Sequence, residues 1–119
     1  MRSTLLVALG GAVGAGARWS ISETFGSNAG RFPWSTFVVN VVGCALIGLA
    51  TRRLDRGSDA WYGVVTGVLG GFTTFSAFAV ETRALLVGGH ISIAVVYVVA
   101  SCAVGIGAVE LGRRPAPAP

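Results

Sequence analysis

Residues 67–81 read GVLGGFTTFSAFAVE and interrupt an apolar segment that is long enough to cross a bilayer. Two glycines and two threonines stand at the centre of this stretch, namely Gly70, Gly71, Thr73 and Thr74. Glycine weakens a helix, and threonine can divert backbone hydrogen bonds. A broken backbone is tolerated in hydrocarbon only where protein buries it or where it lines a polar cavity. The stretch therefore predicts either an ion or substrate site near mid-membrane or a glycine-rich packing face.

The composition is that of a membrane protein rather than a soluble one. Of 119 residues, 53% are hydrophobic and 12% are charged, and a spanning helix takes about 20 residues. Four spans would use most of the chain and leave no room for a soluble catalytic domain, so we do not expect an enzyme. We predict an all-α membrane protein with a single transmembrane domain, 1–119. Its four transmembrane helices are expected at about 4–25, 33–51, 60–87 and 91–111. A disordered tail is expected at 112–119.

The third apolar segment is too long for one straight span. Its roughly 28 residues would extend about 42 Å as a straight helix, whereas the hydrocarbon core is about 30 Å thick. A break of this third helix mid-membrane, between Gly70 and Thr74, resolves the excess length. Glycines at spacing four also predict close contacts between helices; they are Gly10 and Gly14 in the first segment and Gly63, Gly67 and Gly71 in the third.

All nine basic residues are arginines, and most of them lie between apolar segments. A basic balance can indicate nucleic-acid binding, but this placement favours topology signals, so we predict no nucleic-acid partner. With the N-terminus inside, only Arg31 lies in an outer loop. We predict a multi-pass protein of the plasma membrane, in contact with membrane lipid, with both termini in the cytoplasm. The inner arginines are Arg2, Arg52, Arg53, Arg56, Arg113 and Arg114.

The polar side chains expected at membrane depth can all donate hydrogen bonds; they are Thr36, Asn40, Thr73, Thr74, Ser76, Tyr97 and Ser101. Because segments one, two and four carry no acidic residue mid-membrane, these donors favour an anion over a cation. Asn40 is either an interhelical hydrogen-bonding group or a pore-lining donor, since an unbonded amide in an apolar helix is costly. Phe75 and Phe78, one helical turn apart, either present electropositive ring edges to a small anion or pack ordinarily.

Two charged residues near helix ends each have two interpretations. Arg18 lies one turn beyond Gly14 on the small-residue face, where it either snorkels to the headgroups or attracts an anion to a vestibule. Glu81 lies near the far end of the third segment, where it is either a paired or interfacial group or a proton carrier.

Residues 70–78, GGFTTFSAF, with Glu81 three residues further on, closely resemble the signature of the Fluc (CrcB) fluoride channels. Residues 11–18, GAVGAGAR, resemble the first-helix motif of that family. Residues 33–36 together with Val39, Asn40 and Gly43 resemble the second-helix motif. Tyr97 and Ser101 resemble the polar track of the fourth helix. Four motifs in the family's order, in a chain of the right length, make the resemblance specific.

The resemblance implies a passive, fluoride-selective ion channel that exports cytoplasmic fluoride and relieves fluoride toxicity. It implies a four-helix subunit that forms an antiparallel, dual-topology type of dimer with two pores. A sodium ion at the centre of the dimer would be held by the backbone carbonyls of Gly70 and Thr73. Arg18 would draw anions in, and Glu81 matches a family position near the end of the polar track. The fluoride pore would use Asn40, Phe75, Phe78, Tyr97, Ser101, Thr36, Thr74 and Ser76.

The chain departs from the family pattern at two positions and in its charge distribution. Phe72 stands where the family usually has a smaller aliphatic residue, and Gly105 stands where some members continue the hydroxyl track. A homodimer with subunits in both orientations should have nearly balanced arginines, so the bias favours a fixed orientation and a heterodimer with an oppositely oriented homologous subunit. The alternative functions are a small proton-coupled exporter that uses Glu81 and a non-transporting membrane assembly subunit.

Overall fold

The computed structural model describes residues 1–26 and 30–115, and every regular element within them is helical. We number the helices α1 to α5 along the chain. α1 spans Arg2–Phe25, α2 spans Trp34–Arg53, α3 comprises the stretches Trp61–Leu69 and Gly70–Phe72, α4 spans Phe75–Val87, and α5 spans Ile91–Arg113.

Within residues 1–26 and 30–115, four helical spans are long and apolar enough to cross a membrane. α1, α2 and α5 form one span each, and α3 with α4 forms the fourth, Trp61–Val87. The prediction of an all-helical chain with a broken third segment is confirmed. Three boundaries differ from the sequence prediction by two residues: α1 begins at Arg2, α2 ends at Arg53, and α5 continues through Gly112 and Arg113 into the expected tail. Residues 116–119 of that tail lie outside the described residues.

The third span breaks at two consecutive threonines. Thr73 (φ −76°, ψ 157°) and Thr74 (φ −147°, ψ 124°) have extended backbone, so the helical hydrogen-bond ladder is interrupted between α3 and α4. The first stretch of α3, Trp61–Leu69, has π-helical geometry, and the Gly70 N–H donates to the Val65 carbonyl five residues earlier. The break therefore lies within the predicted region, although Gly70 itself remains helical.

α1 and α3 touch backbone to backbone through their glycines. A Cβ atom added to Gly10 would overlap the Gly63 carbonyl oxygen and lie 3.0 Å from the Val68 amide nitrogen. A Cβ atom added to Gly14 would overlap the Val68 carbonyl oxygen and lie 2.7 Å from the Phe72 amide nitrogen. The close contact predicted from the glycine spacing is therefore confirmed, because only glycine lets the two backbones approach this closely.

A second glycine contact joins α2 to α5. A Cβ atom at Gly48 would lie 3.1 Å from the Gly112 Cα atom, and a Cβ atom at Gly112 would lie 2.9 Å from the Leu49 amide nitrogen. Neither glycine has another glycine four residues away in its own helix, so the spacing pattern does not predict this contact. The contact holds α5 in helical form up to its end, which explains why Gly112 belongs to the helix and not to the expected tail.

The buried core of the chain is small and lies where α4 meets α5. Leu85, Ala94 and Tyr97 are buried there, and Phe32 and Phe78 pack against them. The chain measures 46 × 38 × 21 Å, so its thinnest dimension is about two helix diameters. Most large apolar side chains consequently lie on the surface of the chain, where lipid or another apolar subunit can cover them.

Gly14→Ala is expected to destabilise the protein, because the added methyl group would overlap the Val68 carbonyl oxygen and push α1 away from α3. The expected loss is about 1–3 kcal/mol, as for other overpacked contacts, and it is measured as a lower thermal unfolding midpoint of the purified protein in detergent. Gly16→Ala is the matched control, since nothing lies within 4 Å of a Cβ atom at that position. Equal midpoints for the two variants would contradict the proposed role of this contact.

Candidate functional site

One side chain of α2 holds the break between α3 and α4. The Asn40 Nδ2 donates to the Thr74 carbonyl oxygen over 2.9 Å, and the Thr74 N–H donates to the Asn40 Oδ1 over 2.8 Å. A single carboxamide therefore satisfies both backbone groups of an extended residue. Gly43, about one turn further along α2, leaves room for the Thr73 methyl group. Of the two interpretations of Asn40, the interhelical bond is present, and it uses only one of the two Nδ2–H donors.

The same break deprives the carbonyl groups of Gly70 and Thr73 of their usual helical donors. In a continuous helix, the Thr74 N–H would bind the Gly70 carbonyl and the Ala77 N–H would bind the Thr73 carbonyl. The Thr74 N–H binds Asn40 instead, and the Ala77 N–H binds the Thr74 Oγ1 over 3.1 Å. Among the described residues, no group of three or more His, Cys, Asp or Glu side chains could hold a metal ion.

Arg18 of α1 also contacts the break. Its Nε donates to the Gly71 carbonyl oxygen over 3.3 Å, and the helical donor to that carbonyl would have been the Phe75 N–H. The side chain is half-buried, and a guanidinium has five N–H donors, so one contact leaves several donors free for an anion. Sequence patterns offered snorkelling or anion attraction for Arg18; the structure adds a hydrogen bond to the backbone.

Thr74 and Ser76, two of the predicted pore residues, lie together at the start of α4. The Thr74 Oγ1 accepts the Ala77 N–H and lies 3.2 Å from the Ser76 Oγ. A threonine oxygen that accepts a backbone N–H at this position is a typical helix N-cap. The positive end of the α4 dipole is therefore at the break, next to the two hydroxyl groups.

Glu81 joins three helices through two short hydrogen bonds. The Thr36 Oγ1 of α2 donates to the Glu81 Oε1 over 2.7 Å, and the Tyr97 hydroxyl of α5 donates to the Glu81 Oε2 over 2.7 Å. Tyr97 is fully buried, and Thr36 is 6% exposed. Glu81 is thus a paired group that orients two of the predicted pore hydroxyls toward itself. Either hydroxyl would have to turn away from the carboxylate before it could donate to an ion in the pore.

A series of aromatic rings runs beside this cluster. The ring centroids of Phe75 and Phe78 are 5.8 Å apart, those of Phe78 and Tyr97 are 5.1 Å apart, and Phe32 meets Tyr97 edge to face at 5.3 Å. Phe75 is 80% exposed at the surface of the chain. Phe78 therefore has packing contacts within the chain, whereas the Phe75 ring is available to whatever covers this face.

α5 carries one hydroxyl that is buried without a hydrogen-bond partner among the described residues. Ser101 lies about one turn beyond Tyr97 on α5, and its Oγ has no hydrogen-bond partner among the described residues although the atom itself is buried. One turn further, Gly105 is buried, and a Cβ atom there would lie 3.6 Å from the Cys44 Sγ. The hydroxyl track therefore ends at Ser101 in this chain, which leaves its Oγ free to donate.

A cavity of about 1020 Å³ opens where α1 ends and α2 begins. Thr36 and Glu81 line it, so the polar cluster can be reached from this end of the chain. Three further charged or titratable side chains line it: Glu23 of α1, Arg31 before α2, and His90 between α4 and α5. We call this end the cavity end, and the opposite end, where α2 and α5 finish, the basic end.

Comparison with known proteins identifies the family of this chain. The family described as CrcB-like protein, Camphor Resistance (CrcB), matches residues 5–113. The chain belongs to the CrcB family. This family match spans all the helices and therefore includes both the break and the polar cluster.

Relatives of this CrcB-family chain carry the name Fluoride-specific ion channel FluC. The relative from Methylobacillus flagellatus is 44% identical over 118 residues, which cover 94% of this chain and 92% of the relative. A relative from Thermus thermophilus is 44% identical over 118 residues, with 96% and 94% covered. The relative from Acidobacterium capsulatum is 47% identical over 113 residues, with 91% and 90% covered.

In this CrcB-family chain most of the predicted site residues lie in two groups. The first group surrounds the break: Thr74 is hydrogen-bonded to Asn40 and to Ser76, Arg18 donates to the Gly71 carbonyl, and Gly70 and Thr73 belong to the interrupted backbone. The second group surrounds the carboxylate and consists of Thr36, Phe78, Glu81 and Tyr97. Phe75 contacts the second group through Phe78, and Ser101 makes no hydrogen bond to either group among the described residues.

Sequence reasoning missed Phe32 and the shared role of Glu81. Phe32 lies in a connection directly before Pro33, where periodicity carries no signal, yet it packs on Tyr97. The spacing of Thr36 and Tyr97 placed each on a polar stripe of its own helix but could not show that both stripes meet Glu81. Such a meeting of faces is visible only when the helices are assembled.

Asn40→Leu is expected to remove both hydrogen bonds to Thr74, whereas Asn40→Asp keeps the acceptor oxygen and loses only the donor. Amide hydrogen–deuterium exchange at Thr74 should therefore become at least about tenfold faster in Asn40→Leu, for a lost bond worth about 1–3 kcal/mol at a buried group. Asn40→Asp should keep most of the protection. Similar exchange rates in Asn40→Leu and the unmodified protein would contradict the role of Asn40 in protecting the Thr74 backbone.

Proposed function

We propose that this chain is a subunit of a fluoride-selective, passive ion channel that exports cytoplasmic fluoride. Membership of the CrcB family over residues 5–113 carries the proposal, together with relatives named as fluoride-specific ion channels. The arrangement of donors around the break supports it physically. The function is that of a channel and not of an enzyme, and the protein is a multi-pass membrane protein.

Closely spaced hydrogen-bond donors suit a small, strongly hydrated anion. Fluoride would exchange its water for donors along the chain, and these are the free Asn40 Nδ2–H, the Ser76 and Ser101 hydroxyls, and the Tyr97 and Thr36 hydroxyls once they leave Glu81. Phe75 and Phe78 would add electropositive ring edges. Larger halides gain less from donors set this close together, which is the basis of selectivity in this proposal.

Passive flow suffices for export. With the cell interior negative, an anion that leaves the cell gains about 2.3 kcal/mol per 100 mV of membrane potential. Fluoride that enters as the neutral acid and ionises inside would therefore leave down its electrochemical gradient. Arg18, with donors left over from its bond to Gly71, would raise the local anion concentration at the vestibule.

The functional unit in this proposal is an antiparallel dimer of two oppositely oriented subunits. The thin shape of the chain supports it, since 21 Å leaves the break close to a surface. Phe75, at the start of α4, is 80% exposed, and Gly70 is exposed beside it. A second subunit on this face would bury the aromatic ring and enclose the interrupted backbone, as hydrocarbon requires.

A sodium ion fits the carbonyls of Gly70 and Thr73 in this proposal. Both carbonyls lose their helical donors at the break, because the N–H groups that would bind them donate to Asn40 and to the Thr74 Oγ1. Unwound backbone carbonyls are the groups that hold sodium in broken membrane helices. Bound sodium would supply a fixed positive charge beside the pores, and the role of Gly70 and Thr73 is to keep their oxygens directed out of the helix.

We also propose that both termini lie in the cytoplasm, in the plasma membrane, and that the partner is a homologous subunit of opposite orientation. Of nine arginines, six lie at the basic end, and arginine-rich ends stay on the cytoplasmic side. A chain with this bias would insert mainly one way. A heterodimer is then the expected assembly, and a homodimer is the outcome that equal insertion in both directions would indicate.

Fluoride efflux from liposomes tests the function. Protein co-expressed with a homologous subunit of opposite orientation, and purified together with it, should release fluoride, read with a fluoride electrode, without releasing chloride. Phe75→Ile and Asn40→Asp should each slow fluoride release about tenfold or more, equivalent to about 1.4 kcal/mol of barrier. Phe72→Ile is the matched control, because it makes the same substitution three residues earlier at a position where no site role is assigned.

The chain purified without that subunit should release no fluoride if the assembly is a heterodimer, whereas fluoride release by the chain alone would indicate a homodimer. Chloride release at the same rate as fluoride would contradict the proposed selectivity.

Cysteine labelling in intact cells tests the orientation. In a background with Cys44→Ala and Cys102→Ala, a membrane-impermeant maleimide should label Ser92→Cys, at the cavity end, and should not label Ser3→Cys, at the basic end. This pattern is expected because an arginine-rich end stays on the cytoplasmic side of the membrane, where the reagent does not reach it. Partial labelling at both positions, in cells without any other subunit of the family, would contradict a fixed orientation and favour a homodimer.

A further inference from the structure

The C-terminal ends of α2 and α5 lie side by side at the basic end. Gly48 and Gly112 bring the two backbones into contact, with 3.1 Å between the Gly112 Cα atom and a Cβ atom built at Gly48. α2 ends at Arg53 and α5 ends at Arg113, within about one turn of this contact. The arginines that follow the two glycines are therefore gathered at one place by tertiary packing.

A hydrogen bond links the two helix ends directly. The Arg52 Nη1 of α2 donates to the backbone carbonyl of Arg114, just past the end of α5, over 2.5 Å. Arg52 is exposed, and the bond uses one of its five N–H donors. The guanidinium is thus held in place at the junction with most of its donors still available.

Among the described residues, only one of the four arginines at this junction forms an ion pair with a carboxylate. Elsewhere at the basic end, Arg2 pairs with Asp59 at 3.2 Å, and Arg56 lies over the Trp61 ring at 5.7 Å. At the junction, Arg113 pairs with Glu110 at 3.1 Å within α5. No described carboxylate forms an ion pair with Arg52, Arg53 or Arg114.

The junction lies at the depth of lipid headgroups. α2 has 20 residues, which extend about 30 Å, equal to the hydrocarbon thickness of a bilayer. Its last turn therefore reaches the headgroup region when the helix spans the membrane. Leu49 and Leu111, next to the junction, are 37% and 68% exposed, and they provide apolar surface for acyl chains directly beside the arginines.

We propose that this junction, formed by Arg52, Arg53, Arg113 and Arg114, binds the phosphate of an anionic phospholipid headgroup. Guanidinium groups bind phosphate oxygens in pairs of parallel hydrogen bonds. Basic pockets between helix ends at the membrane surface favour anionic lipid over neutral lipid. The exposed leucines select a lipid over free phosphate, because only the lipid also has chains to cover them. A lipid bound here would tie α2 to α5 and so support the helix that carries Asn40.

Lipid titration of the full-length protein tests the site without any fluoride measurement. In neutral detergent, dioleoylphosphatidylglycerol should bind more tightly than dioleoylphosphatidylcholine, as counted by native mass spectrometry, and it should raise the thermal unfolding midpoint. Arg52→Gln and Arg114→Gln should each weaken phosphatidylglycerol binding about fivefold. Arg83→Gln is the matched control, since it removes the same charge from an exposed site on α4, far along the chain from the junction.

Two controls separate the explanations. Arg114→Gln keeps the backbone carbonyl that accepts from Arg52, so it tests the headgroup contact even if Arg52→Gln fails to fold. Inorganic phosphate at the same concentration should not raise the thermal midpoint. The proposal is overturned by equal binding of the two lipids, by an equal loss in Arg83→Gln and Arg114→Gln, or by stabilisation with inorganic phosphate that matches the lipid.

Discussion

The pair of hydrogen bonds between the Asn40 carboxamide and the Thr74 backbone is the interaction on which the rest of this structure depends. An extended residue inside an apolar span would leave a bare N–H and a bare carbonyl, each costing several kcal/mol in hydrocarbon. One asparagine on α2 satisfies both groups. The break can therefore exist at this depth, and it fixes α2 against the joint between α3 and α4.

Glycine contacts supply the frame around that joint. α1 lies against α3 through Gly10 and Gly14, while α2 lies against α5 through Gly48 and Gly112. Dispersion contacts replace the hydrophobic effect between helices in lipid, so this close approach is what holds each pair together. The break connects the two pairs, and Arg18 adds a hydrogen bond from α1 to the Gly71 carbonyl.

The chemistry of the site follows from which donors remain free after folding. Thr36 and Tyr97 donate to Glu81, whereas the Thr74 Oγ1 accepts from its own helix as a cap and keeps its hydroxyl proton, beside the Ser76 Oγ. Ser101 has no partner among the described residues, and Asn40 keeps one N–H. An anion must therefore compete with the Glu81 carboxylate for the Thr36 and Tyr97 hydroxyl protons. Reorientation of these hydroxyls is then part of conduction in the proposed channel. The junction of arginines at the basic end lies apart from these groups and acts on the frame rather than on the pore.

The sequence alone was sufficient for the number of spans, the interruption near Thr73 and Thr74 and the glycine faces of close helix contact, because composition, length and glycine spacing are properties of single segments. The family followed from four motifs in order along the chain. Only the tertiary structure decided the partners of Asn40 and Glu81 and the contact of Gly48 with Gly112. The physical reason is that periodicity shows only which face of its own helix a residue occupies. Asn40 and Thr74 are 34 residues apart in the sequence, and Thr36 and Glu81 are 45 residues apart, so their hydrogen bonds join different helices. Which two faces meet depends on how all the helices pack together.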